Sequence, residues 1–205
     1  MSGGSTPGRR LRSGLVRATL SAVVGLAILS AVALWMAMRP PVWWSPIAVD
    51  AAVADRGAAF EQAIVAEFTR VRERDAVWAI RIPAPQVNDW LAARLPEWLA
   101  SRDLPPTGRV QASMGAGVLR VGMQRGGFVA WTSAAPVADQ GGIRLDSVWS
   151  SVGRIPVPIA SGGLAGVGEV GPGRVIPLPD GRRVRVLDLE LLEGELRLRL
   201  KTEGR

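Results

Sequence analysis

Positions 18–38 form a run of 21 residues without a charge (ATLSAVVGLAILSAVALWMAM). As a helix rising about 1.5 Å per residue, it would extend about 30 Å, the thickness of a bilayer's hydrocarbon core. Beyond it the pattern becomes periodic. Over 50–74, Val53, Gly57, Phe60, Ile64, Phe68 and Val71 recur at steps of three or four, while Asp55, Glu61, Arg70 and Arg74 fall on other faces. That spacing predicts an amphipathic helix with Asp50 as its N-cap. A strand follows over 77–82, with Trp78, Ile80 and Ile82 on one side and Pro83 and Pro85 closing it. A second helix is predicted over 86–100, with Val87, Leu91, Leu95 and Trp98 as its apolar stripe and Trp90 beside it. Pro96 has no backbone donor and should kink or end that helix early.

From Arg109 the period is two. Val110, Ala112 and Met114 alternate with Arg109, Gln111 and Ser113; Leu119, Val121 and Met123 alternate with Arg120, Gly122 and Gln124. Val129 and Trp131 come next, then Ile143, Leu145 and Trp149 against Arg144 and Asp146. Glycines separate these runs, as in an antiparallel meander covered on one face only. The last hairpin has a predicted register. With Glu193-Gly194 as the turn, Glu190 faces Arg197 and Asp188 faces Arg199, while Leu191, Leu189 and Leu187 face Leu196, Leu198 and Leu200. A slip of one residue would set leucines against arginines, so this register is strongly specified.

Between the meander and the hairpin, residues 159–173 (IASGGLAGVGEVGPG) hold six glycines and one charge. A long apolar loop of this kind is either a disordered or weakly helical connection or a candidate lid, with Leu164 and Val167 as its apolar contacts. Its G-x-G-x-x-G string lacks the flanking strand and helix that dinucleotide binding needs, and Pro172 follows at once. An Ile-Pro-x-Pro tetrad occurs at 82–85, 155–158 and 176–179. Proline cannot donate to a ladder, so each tetrad should mark a strand leaving the sheet.

Charge changes this picture at the N-terminus only. Five of the 25 basic residues lie in the first 40 positions with no acid among them, leaving 20 basic against 18 acidic residues. The net +7 therefore reflects a basic flank rather than a nucleic-acid face. Arg9, Arg10, Arg12 and Arg17 precede the apolar run, which by the positive-inside bias leaves residues 1–17 in the cytoplasm. Ala31 and Ala33 resemble a signal-peptidase site, but a signal core has about 7–15 apolar residues. Trp35, Trp43 and Trp44 bracket the exit end as an interfacial belt would. A retained anchor is the expectation.

The chain has no Cys, His or Tyr. That removes disulfides, thiol nucleophiles, imidazole bases and zinc sites built on Cys or His. The one lysine, Lys201, lies four residues from the C-terminal end and is poorly placed for a Ser-Lys dyad. Asp188, Glu190, Glu193 and Glu195 make the one dense carboxylate group, and the hairpin register assigns Asp188 and Glu190 arginine partners. No catalytic residue, metal ligand or cofactor is expected. Trp78, Trp90, Trp98, Trp131 and Trp149 are expected in one core.

The strand-turn-helix Trp78-Ala79-Ile80-Arg81-Ile82 into Val87-Asn88-Asp89-Trp90-Leu91-Ala92, with the segment Gly153-Arg154-Ile155-Pro156-Val157-Pro158, resembles a group of bacterial membrane-anchored proteins. More distantly, the arrangement is similar to half of a tubular lipid-binding (TULIP-like) domain. The resemblance implies an acyl-chain groove and nothing catalytic.

These readings predict a cytoplasmic tail (1–17), a transmembrane helix (18–38), a Pro/Trp-rich stalk (39–49) and an extracytoplasmic domain (50–205). The fold class expected is α+β, an antiparallel curved sheet packed on one or two helices. The functional expectation is a non-catalytic protein of the bacterial inner membrane, binding lipid in an apolar groove lined by Leu119, Val121, Trp131, Ile143 and Trp149. The alternative is a scaffold that docks another envelope protein and holds no ligand. Neither reading involves nucleic acid.

Overall fold

The computed structural model describes residues 8–115, 117–139, 141–157, 176–178 and 181–203. Helix α1 (Gly8–Met38) contains the apolar stretch Leu20–Met38, of mean hydropathy 2.2, none of which is buried. By length and composition it is apolar enough to cross a membrane, as an anchor or a signal sequence would be.

Helix α2 (Ala51–Thr69) starts where the sequence places it, with Asp50 Oδ1 accepting the Val53 N–H at 2.8 Å. It stops five residues before Arg74. Arg70 is extended, and Arg72 turns back to lie 3.7 Å over the Trp78 ring and 2.6 Å from Glu67. Val71 is left exposed instead of completing the stripe. The next predicted helix is two, α3 (Ala84–Ala93) and α4 (Leu95–Ala100), broken at Arg94. Pro96 cannot donate to a carbonyl one turn back, so α4 restarts with it in the first turn.

Nine strands, all paired antiparallel among the described residues, form two sheets. The first has the order β1 (Val77–Pro83), β9 (Glu195–Glu203), β8 (Arg183–Leu192), β7 (Ile176–Pro177). The second is the meander β2 (Arg109–Gly115), β3 (Val118–Arg125), β4 (Phe128–Asp139), β5 (Gly142–Val152), β6 (Ile155–Val157). Backbone bonds join them along β8 and its hairpin: Val186 N–H to Gly141 O, Gly117 N–H to Leu191 O and Gly194 N–H to Met114 O. The α+β fold is thus a curled antiparallel sheet, a half-barrel packed with helices. Each Ile-Pro tetrad reaches a strand at a sheet margin (β1, β6 and β7), where a missing donor is tolerated.

The core lies on the inner face of the first sheet, where Ile80, Val184, Val186, Leu198 and Leu200 are buried under Ile64 and Phe68 of α2 and Ile143 of β5. A second cluster joins Ala84, Met114 and Leu191, with Val87 and Leu119 packed against it. The hairpin keeps the register predicted for Leu191–Leu196, Glu190–Arg197, Leu189–Leu198 and Asp188–Arg199. Leu187 departs from it. A bulge lies between Val186 and Asp188, so Val186 faces Leu200 and the inward phase passes to Val184 and Val186.

The tryptophans do not form one core. Trp78 packs edge-on against Phe68 at 5.6 Å, and Trp90 Nε1 donates to Glu61 Oε2 at 3.2 Å. Trp98 and Trp149 are exposed, and Trp131 lies on the far face of the meander.

Candidate functional site

Antiparallel pairing fixes which meander residues share a face. Leu119 faces Ala134 and Val121 faces Thr132, whereas Trp131 faces Gly122 and Trp149 faces Ser133. Leu119, Val121 and Ile143 therefore belong to the inner face, and Trp131 and Trp149 to the outer. The five residues expected to line one groove are divided between two faces. Leu119 and Ile143 are committed to the core clusters, and Val121 is 41% exposed. Trp149 is 55% exposed, its Nε1 3.2 Å from Ser151 Oγ. Leu164 and Val167, the expected lid, lie outside the described residues.

The outer face is not bare, as the sequence leads one to expect. Residues 43–45 of the stalk lie across it. Trp43 and Trp44 pack edge-on at 5.9 Å and Trp43 meets Trp131 in the same way at 6.0 Å. Gly122 makes room for them, since a Cβ there would come within 2.8 Å of Trp43 Cη2 and 2.9 Å of Trp44 Cζ3. Gln111, in the same cross-strand row, accepts the Ser45 N–H at 2.8 Å. The row Gln111–Gly122–Trp131–Ser151 is a track for the stalk.

Past Ser45 the stalk follows the free edge of β2. Between them lies a cleft of about 390 Å³, bounded by Ile47, Val49, Leu91, Ala92, Pro96 and Val110. Its volume falls within the range of about 300–1,000 Å³ typical of small-molecule pockets. Asn88 forms part of its wall and closes the edge of β2: its Oδ1 accepts the Ala112 N–H at 2.7 Å and its Nδ2 donates to Ala112 O at 2.9 Å. A side-chain amide thus replaces a neighbouring strand and holds α3 against the sheet. The Thr107 hydroxyl, also in the lining, is buried without a hydrogen-bond partner among the described residues.

Behind the cleft, α2 and α3 cross closely enough that a Cβ on Gly57 would lie 3.0 Å from Asp89 O. Asp89 is 5% exposed, and its carboxylate accepts from Arg56 Nε at 2.7 Å. Sequence reading missed this pair, although Asp89 is the one charge within α3. Hydrogen bonds from Arg56 to Asp89, from Arg94 to Glu61 and from Arg197 to Glu195 raise these guanidinium groups above the ordinary arginine value. Arg197 also lies 3.9 Å from Glu190. Asp188 and Glu190 are exposed, and among the described residues no group of three or more acids is placed to hold a metal ion.

Lys201 Nζ, 2.9 Å from Asp75 Oδ1, holds that carboxyl below its ordinary value, chiefly by the hydrogen bond and then by charge. A depressed folded value contributes stability above the unfolded pKa, and this is lost as pH falls through the folded one. In Lys201→Gln the Asp75 carboxyl is expected to titrate at a higher pH than in the wild type, read by carboxyl-carbon NMR. An unchanged midpoint would remove Lys201 as the cause.

No known protein family, curated protein or solved structure matches this chain.

Proposed function

We propose that the chain is a non-catalytic, single-pass envelope protein whose domain holds the acyl chain of a lipid in the cleft between the stalk, α3 and β2. The observation that carries this is the cleft itself: about 390 Å³, walled mainly by aliphatic side chains and built partly from the stalk that leads out of the apolar helix. A lipid leaving the bilayer beside α1 would meet the stalk first. Arg56, Arg94 and Arg197 engage carboxylates that acid–base chemistry would otherwise use. The likeness to a half-tubular lipid-binding domain is part of this proposal, and the curled sheet packed with helices supports it. So is the topology: the basic flank keeps the N-terminus in the cytoplasm and sends the domain to the outer side of a bacterial inner membrane.

The test is native mass spectrometry with lipid extraction on the full chain released from membranes in detergent. The wild type is expected to carry one lipid per chain. Ala92→Trp, which fills the cleft, is expected to lose it while keeping its circular dichroism and thermal midpoint. A wild type free of lipid would overturn the reading and leave the docking of another envelope protein in its place.

A further inference from the structure

The domain is joined to α1 by more than the stalk. The Arg154 N–H, in the turn between β5 and β6, donates to Met36 O at 3.1 Å, and Gly153 packs directly on the Ala37 carbonyl. The Gly153 N–H donates to Val129 O at 2.7 Å, and its carbonyl accepts Trp131 Nε1 at 2.8 Å. This turn and the neighbouring β3–β4 turn (residues 125–128) therefore lie at the level of the last turn of the apolar helix. Leu20–Met38, at about 1.5 Å per residue, nearly matches the hydrocarbon thickness. Met36 then sits where acyl chains give way to phosphate groups.

The side chains at this level have the matching chemistry. Phe128 and Val157 are each 40% exposed. Arg125 and Arg154 are exposed and have no ion-pair partner among the described residues. Arg39 stacks on Trp35 at 4.5 Å, a cation and an aromatic ring at the end of the helix. Residues 124–129 and 152–157 contain no acid. Next to Phe128, on the inner face, Met123, Ala130 and Val152 border a shallow apolar depression of about 280 Å³.

We propose that these two turns are a bilayer-docking surface: Arg125, Arg154 and Arg39 bind lipid phosphate groups and Phe128 inserts among the acyl chains. Guanidinium groups bind phosphate oxygens in a bidentate manner, and their stems lie along apolar surface while the charge stays in the headgroup layer. The docking would fix the domain's posture on the membrane. It rests on the reading of α1 as a retained span and is independent of what occupies the cleft.

The chain has no cysteine, so single spin labels report cleanly. Gly127→Cys is the probe, because a Cβ there meets nothing within 4 Å. Ala27→Cys marks the span and Asp188→Cys the aqueous side. The full chain is placed in nanodiscs of phosphatidylethanolamine and phosphatidylglycerol, and collision with oxygen is compared with collision with a water-soluble nickel chelate. The oxygen-to-nickel ratio at 127 is expected to exceed that at 188 several-fold and to fall toward it in Arg125→Glu/Arg154→Glu, with the ratio at 27 unchanged. A ratio at 127 equal to that at 188, with 27 buried in lipid, would overturn the docking surface. An unaltered ratio in the double variant would overturn the role of the arginines. An aqueous label at 27 would overturn the span, and the docking with it.

Discussion

Leu200→Ala is expected to cost the domain about 3 kcal/mol, within the range of about 2–5 kcal/mol for emptying a fully buried leucine site. Leu200 is 0% exposed and sits at the centre of β9, between Trp78 on β1 and Val186 on β8. Ile80, Val184, Val186 and Leu198 surround it. These neighbours belong to paired strands and cannot collapse inward without breaking ladder bonds, so most of the cavity should persist. A domain of this size has about 5–15 kcal/mol in total, and the loss is a large fraction of it. Denaturant unfolding of the full chain in detergent measures the effect, with Val42→Ala as a control at a 94% exposed position. A shift no larger than that of the control would mean that the first sheet is not the centre of the core.

Leu200 also shows how far the sequence could be read. Alternation along 183–192 and 195–203, with Glu193-Gly194 between them, determined the hairpin and four of its cross-strand pairs. It did not reveal the bulge at Leu187, because an extra residue changes the phase without changing the composition. The meander failed in the same way. Ile143 and Trp149 have the same parity in sequence, yet a register shift within β4–β5 sets them on opposite faces. Trp131 was misplaced for another reason. Its strand alternates apolar residues with alanine and threonine, so its pattern does not say which face is inner. Gly122 opposite it, and the two stalk tryptophans that Gly122 admits, decide that it faces outward.

The cleft was invisible in the sequence because each of its walls is ordinary alone. A proline-rich stalk, the stripe of a short helix and the first residues of a strand acquire meaning when Asn88 pins the helix to that strand. Two segments singled out in the sequence, 78–92 and 153–158, fall at joints of this kind. Asn88 and Asp89 secure α3 to β2 and α2, and Gly153-Arg154 seats the domain on α1.

That last joint gives the second large effect. Gly153→Val is expected to release the end of α1 while both sheets stay folded. Gly153 has φ +57°, a region where an L-residue costs about 1–2 kcal/mol and a β-branched one fits worst. A Cβ there would overlap the Ala37 carbonyl oxygen, which is helix backbone and cannot rotate away. Either the turn deforms or the helix end moves off. The turn is held by Gly153 N–H to Val129 O and by Trp131 Nε1, whereas one backbone bond, Arg154 N–H to Met36 O, ties it to the helix. The helix is the weaker side and should leave. Trp43 and Trp44, only seven and eight residues beyond Met36, then lose their fixed approach to Gly122. If undocking becomes easier by about 1.4 kcal/mol, the open population rises about tenfold, and proteolysis that follows this population rises with it. Chymotryptic cleavage after Trp44 in the full chain reads that change. Gly127→Val, at an open position, should cleave like the wild type, and far-UV circular dichroism should be unaltered in both variants. A cleavage rate in Gly153→Val equal to that of the wild type, with the fold intact, would mean that the β5–β6 turn does not hold the domain on its helix.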